Sequence, residues 1–227
     1  MKTSLLKRVV AEFVGTAFLV AAVVGSGVMA ERLSDGNIAL ALLANTIATG
    51  AALVALILAF GTISGAHFNP VVSLADAIEG GLAWRETPAY VLAQVLGGVA
   101  GAMLVHLMFS LPLVSFSRHA RSGAAQVFSE FVATFGLMCV IWGCARSRPN
   151  AVAFAVGSYI AAAYWFTAST SFANPAVTIA RALSDTFAGI RPADVLPFVG
   201  AQVAGGAAAT FIFRWLSSAS GGEERVL

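Results

Sequence analysis

Charge is what this sequence lacks most. Of its 227 residues only 11% are Asp, Glu, Lys or Arg, while 59% are hydrophobic, and the mean hydropathy is +0.85. A soluble domain carries about 25% charged residues, so there is too little polar side chain to cover a water-facing surface. A soluble globular fold and intrinsic disorder are both excluded. The net charge is +2 and the 13 Lys and Arg are scattered, which excludes a phosphate-binding stripe and nucleic acid as a partner. Cysteine is scarce too. Cys139 and Cys144 lie in an apolar run with no His or acidic neighbour at ligand spacing; they read as small buried residues, not as a disulfide framework or a metal site. The sequence contains no glycine-rich nucleotide loop, no Ser–His–Asp set and no metal-ligand cluster, so no catalysis, metal or cofactor is expected. What remains is an integral membrane protein.

Apolar segments long enough to cross a bilayer, about 20 residues each, run over 6–29, 38–60, 88–109, 124–145, 151–168 and 194–216. Lys2, Lys7 and Arg8 before the first one imitate a signal peptide, but that segment contains Glu12 and recurs later in the chain, so it belongs to the fold. Two apolar pieces are too short to span: Asn69-Pro70 to Ile78, and Asn174-Pro175 to Leu183. Each has Pro at the first helical turn, where a missing N–H costs nothing. Half-spans must be buried in protein or line a water-filled cavity, because lipid cannot satisfy their ends. With six spans both termini share one side. Lys2, Lys7, Arg8, Arg85, Arg146, Arg148, Arg214 and Arg225 then fall on that side, and Arg32, Arg118, Arg121 and Arg191 on the other; the bias places both termini in the cytoplasm.

The chain also repeats itself. Ala11-Glu12-Phe13-Val14-Gly15-Thr16 matches Ser129-Glu130-Phe131-Val132-Ala133-Thr134, the segment from Asn69 to Ala77 matches that from Asn174 to Ala182, and the segments around Gln94-Val95-Leu96-Gly97-Gly98 and Gln202-Val203-Ala204-Gly205-Gly206 match in turn. Three matches in one order imply duplication. Each half holds an odd number of spans, so the second half crosses in the opposite sense, giving inverted repeats over about 6–110 and 122–216 within one transmembrane unit, 1–227. Inversion brings the two half-helices together near the midplane, N-terminus to N-terminus, capped by Asn69 and Asn174. Free N–H groups and side-chain NH₂ donors there make a polar, electropositive waist that orients a water or hydroxyl oxygen and repels cations.

These residues resemble the major intrinsic protein family, the aquaporins and aquaglyceroporins, in a bacterial-type member. The resemblance rests on Ala11-Glu12-Phe13, on Ser64-Gly65-Ala66-His67-Phe68-Asn69-Pro70-Val71, on Asn174-Pro175-Ala176 and on the segments around Gln94 and Gln202, and it covers about residues 6–216. It implies an all-α membrane protein of six transmembrane helices plus two half-helices. It also implies a homotetramer in a bacterial inner membrane, with one pore per subunit for water and small neutral solutes. The central constriction would comprise Asn69, Asn174, Val71 and Ala176; Val71 replaces the usual Ala and is expected to narrow the waist on one side. Backbone of the loops 65–68 (Gly65, Ala66, His67, Phe68) and 170–173 (Thr170, Ser171, Phe172, Ala173) would line the lumen, with Glu12 and Glu130 supporting those loops.

Counted from the Asn-Pro boxes, the family's four filter positions fall on Thr49, Ala162, Ser171 and Val177. No aromatic residue and no Arg stands at any of them, and Val177 occupies the place of the usual Arg. The filter is therefore expected to be wide, passing water, glycerol and larger polyols. Neutral metalloid hydroxides such as arsenite are added by the resemblance alone. Arg181 lies one turn beyond Val177, about 6 Å along the axis, and either charges the outer vestibule or snorkels to the headgroups; Asp185 is positioned to pair with it. Glu12 and Glu130 are loop supports or, in a proton-coupled transporter, titrating relays. His67 offers a carbonyl or ring nitrogen to the pore, packs the loop, or senses pH. Trp84, Tyr90 and Trp215 read as interface anchors. The alternatives to a passive channel are a proton-coupled secondary transporter and a non-conducting structural protein on the same fold.

Overall fold

The computed structural model describes residues 3–217. Lys2, Arg225 and the tail 221–224, expected to be a solvated end, lie outside the described residues. Eight α-helices follow in order: α1 (Leu5–Leu33), α2 (Ile38–Ser64), α3 (Pro70–Ile78), α4 (Thr87–Met108), α5 (Ala124–Ser147), α6 (Val152–Phe166), α7 (Pro175–Arg181) and α8 (Pro192–Ser217). A 3₁₀ turn, Pro149–Ala151, leads into α6.

The helix ends follow local chemistry. α1 continues to Leu33 because the first breaker is Ser34-Asp35-Gly36, where Asp35 and Gly36 take left-handed φ of 48° and 80°. α2 starts on an Asn37 cap that accepts from the Leu40 N–H, and stops at Gly65 with φ 91°. α3 and α7 begin with Pro70 and Pro175, and each is capped by its asparagine: Asn69 Oδ1 accepts from Val71 N–H, and Asn174 Oδ1 from Ala176 and Val177 N–H. Five helices, α1, α2, α4, α5 and α8, are long and apolar enough to cross a membrane. α6 has 15 residues, about 22 Å of helix; the preceding 3₁₀ turn extends it toward the ~30 Å apolar thickness of a bilayer.

Polarity is inside out. Leu6, Ile38, Phe128, Phe154, Leu196 and Trp215 face outward, whereas Glu12, Glu130, Gln94 and Gln202 are completely buried. Only a lipid surround stabilises that distribution. Trp84 is exposed, as an interface anchor requires, but Tyr90 is buried and its hydroxyl donates to the Ser64 carbonyl at 2.9 Å; it fastens the end of α2 instead of meeting the interface.

α1 packs on α2 and α4, and α5 packs in the same way on α6 and α8; α2 and α6 join the two sets. The half-helices lie between α4 and α8 and touch each other. The helix crossings are tight because of glycine: a Cβ at Gly97 or Gly101 would overlap the backbone carbonyl of Phe13 or Ala17 on α1, and one at Gly205 that of Phe131 on α5. Gly101→Val is therefore expected to destabilise the protein by about 1–3 kcal/mol through forced separation of α1 and α4, read as a lowered Tm in detergent. An unchanged Tm would show that the crossing yields freely.

Candidate functional site

Two loops, 65–68 and 170–173, enter the middle of the helical assembly and carry the same unusual backbone. Gly65 and Thr170, Ala66 and Ser171, and Phe68 and Ala173 all have left-handed φ, between 48° and 91°. Five of these six are not glycine, so the loops are strained and need external holding. Two carboxylates provide it. Glu12 Oε1 accepts from Ser64 Oγ at 2.6 Å and His67 N–H at 3.0 Å, and its Oε2 accepts from Phe68 N–H at 2.7 Å and Gln94 Nε2 at 2.8 Å. Glu130 accepts from Phe172 N–H at 2.9 Å, Ala173 N–H at 2.8 Å and Gln202 Nε2 at 2.6 Å. Each carboxylate is fully buried and held by these donors, with no ion pair among the described residues. Charge-assisted bonds of this kind contribute about 1.5–3 kcal/mol each. Four donors thus reach Glu12 and three reach Glu130.

The loops are stitched to each other at the asparagines. Asn69 Nδ2 donates to the Ala173 carbonyl at 2.8 Å, and Asn174 Nδ2 donates to the Phe68 carbonyl at 2.7 Å. Each amide uses its oxygen on its own helix and one hydrogen on the opposite loop. The second hydrogen of each remains for the cavity that both residues line. That cavity, about 300 Å³, runs from Asp76 in the last turn of α3, past both asparagines, to Arg181 at the end of α7. Its walls are mainly apolar, among them Leu19, Leu53, Ile57, Leu137, Val156 and Ile160.

The expected lining residues distribute unevenly. Gly65, Ala66, His67, Phe68, Ser171, Phe172, Ala173, Thr49 and Val177 line the cavity with the two asparagines. Val71 and Ala176 do not: both are buried behind the lumen. Val71 packs with Met138 and Ala209 in space that Gly206 leaves open, so its extra bulk does not narrow the waist. The next residue of each half-helix, Val72 and Val177, faces the cavity. Thr170 also lies off the lumen, its hydroxyl accepting from Arg121 Nη1 at 3.3 Å. Ala162 is exposed on the outer side of α6; Ile160 and Tyr164 line the cavity from that helix. Counting back from Asn174 crosses the end of α6 at Phe166, where the helical phase is lost. Tyr164 brings an aromatic ring to the filter region, and its hydroxyl donates to Thr49 Oγ1 at 3.3 Å. Ser171 Oγ, buried in the same lining, has no hydrogen-bond partner among the described residues.

The Arg181 end of the cavity is positively charged. Arg181 is buried with its guanidinium carbon 3.4 Å from the centroid of Phe172, and that of Arg121 lies 4.9 Å from the same centroid. Arg181 Nε donates to the Ala188 carbonyl, and Arg121 donates to the carbonyls of Gly189 and Ser169 at 2.8 and 3.1 Å. Arg181 does not snorkel. The expected pairing with Asp185 is not made either, because Asp185 binds Arg118, at 3.2 Å. Neither Arg121 nor Arg181 forms an ion pair among the described residues. In the adjoining loop the His119 imidazole is pushed below its ordinary pKa by desolvation and by these two guanidinium charges.

Residues 1–151 match the family described as Major intrinsic protein. The chain is 56% identical over 212 residues to Aquaglyceroporin AqpS of Rhizobium meliloti (strain 1021), covering 93% of this chain and 91% of that protein. It is 37% identical over 204 residues to Aquaporin NIP1-1 of Zea mays, covering 86% of this chain and 71% of that one. In fold it is similar to the aquaglyceroporin from Plasmodium falciparum, with a TM-score of 0.70 at 20% identity over 94% of this chain and 98% of that one.

Glu12→Gln replaces one acceptor oxygen by an amide N–H₂ and leaves at least one loop N–H unpaired, a cost of about 1–3 kcal/mol. The expected result is a lowered Tm in detergent and a parallel fall of water and glycerol flux at every pH. A wild-type flux driven by a pH gradient and uncoupled from it by Glu12→Gln would instead make Glu12 a proton relay.

Proposed function

This chain belongs to the major intrinsic protein family, and on that premise we propose that it is a passive transmembrane channel for small uncharged solutes: water, glycerol and larger polyols, with neutral metalloid hydroxides such as arsenite as a further class. The observation that carries the reading is the reciprocal bridge of Asn69 and Asn174 inside a continuous cavity. The amide hydrogens that Asn69 and Asn174 keep beside the cavity fix the oxygen of a passing water or hydroxyl, and the apolar walls carry the carbon side of a polyol. The 56% identical relative from Rhizobium meliloti is named an aquaglyceroporin.

Selection falls to the ring of Thr49, Tyr164, Ser171 and Val177. Three hydroxyls face one apolar side chain, and the unpartnered Ser171 Oγ is free to bind a permeating hydroxyl. Arg181 sets positive potential in the outer vestibule, and the carbonyls of the two loops form the polar stripe between vestibule and waist. The whole chain acts as one channel unit, an inverted repeat, assembled as a homotetramer whose apolar outer faces meet lipid and neighbouring copies. A bacterial inner membrane with cytoplasmic termini fits the charge pattern. Arg8 pairs with Glu86, and both Arg146 and Arg214 pair with Glu79, and these basic residues belong to the richer side.

Stopped-flow light scattering of proteoliposomes tests this. Flux of water, glycerol and a larger polyol is expected to be non-saturating and weakly temperature-dependent. Saturable flux that needs a pH gradient would establish a transporter, and no flux above protein-free vesicles would establish a structural role. Val177→Arg is expected to cut the larger polyol more than glycerol, and glycerol more than water; an unchanged spectrum would remove Val177 from the filter.

A further inference from the structure

The two ends of the cavity carry opposite charges at matching places. Asp76 stands seven residues after Asn69, and Arg181 seven after Asn174. Each lies in the last turns of its half-helix, lines the cavity, and meets the ring two residues before its asparagine: Asp76 Oδ2 is 3.6 Å from His67 Nε2, and the Arg181 guanidinium lies over Phe172. Apart from the titratable His67, they are the charged side chains of the lining.

The Asp76 end is a built arrangement. Gln94 Nε2 donates to Ser73 Oγ at 2.9 Å, so the Ser73 hydroxyl proton is available to His67 Nδ1, 3.1 Å away. With Nδ1 accepting, the neutral imidazole carries its hydrogen on Nε2 and turns it toward the carboxylate. The carboxylate occupies a place that a Cβ at residue 81 would fill, and Gly81 leaves it open.

We propose that Asp76 is the anion-excluding residue of the pore, an inference that rests on the channel reading above. Between the outer mouth and the waist the positive side chains are Arg181, which lines the cavity, and Arg121 beside it, and the free amide hydrogens of Asn69 and Asn174 follow, set against the loop carbonyls and the buried Glu130 behind them. A small anion entering from that end meets Asp76 as the negatively charged side chain that lines its path. Inside a low-dielectric tube, one like charge at the mouth governs passage. Neutral solutes do not feel it, so Asp76 separates charge selectivity from size selectivity.

The test uses the purified full-length chain in proteoliposomes loaded with a halide-quenched dye, with potassium iodide outside and valinomycin to balance charge; glycerol flux is measured on the same preparations. Asp76→Asn is expected to raise iodide entry by about tenfold or more while glycerol flux stays within about twofold, and Asp76→Glu is expected to keep the wild-type exclusion. Asp76→Ser serves as the second neutral variant should Asp76→Asn fail to fold. Iodide entry equal to wild type in a neutral variant that still conducts glycerol overturns the proposal and leaves the channel reading intact. Absence of glycerol flux in the wild type overturns the channel reading, and the proposal with it.

Discussion

Backbone N–H groups in the middle of a membrane have no water to turn to, and that constraint organises this molecule. The two loops that form the waist cannot pair their amides within a helix or sheet. Glu12 and Glu130 accept those amides, and the amides in turn hold carboxylates that form no ion pair among the described residues. Neither partner is stable in the membrane interior without the other. The left-handed residues of the loops, the meeting of the asparagines and the existence of a lumen all follow from this exchange.

Much of the supporting frame recurs in both halves. Ser64 and Ser169 accept from the N–H two residues on, Gln94 and Gln202 each bridge a carboxylate to a hydroxyl, and that hydroxyl is Ser73 in one half and Thr178 in the other. The lumen keeps no such likeness. His67 faces Asp76 where Phe172 faces Arg181, and Tyr164 adds a ring from α6. Residues that hold the frame answer to backbone geometry, which both halves share. Residues that touch the solute answer to the side of the membrane they serve, and the two sides differ.

The spans and both half-helices were legible because their signals are local: apolar runs of membrane length, and Pro beside a capping Asn. The loop supports were legible because a buried Glu in a matching context in each half has few other uses. Where the reading went astray, a side chain's direction was at issue. Val71 looked like a narrowing of the waist, yet one residue of helix rotation turns it onto Gly206 and brings Val72 to the lumen. Ala162 was reached by counting across the end of α6, and the true lining residue, Tyr164, is on the other side of that helix. Arg121 carried no signal at all; it sits in a loop far from either box and reaches the site only in space. Asp76 did carry one, since it aligns with Arg181.

The sequence by itself therefore determined the membrane setting, the order of full and half helices, the pairing of Asn69 with Asn174 and the family, since each is written in composition, spacing or repetition along the chain. Tertiary structure alone decided which side chains face the lumen, that Arg121 and Arg181 share Phe172, and that opposite charges stand at the two ends. Those outcomes depend on helix rotation and on contacts between residues more than 100 positions apart, such as Asn69 and Ala173 at 104, and no local pattern encodes the angle at which one helix meets another.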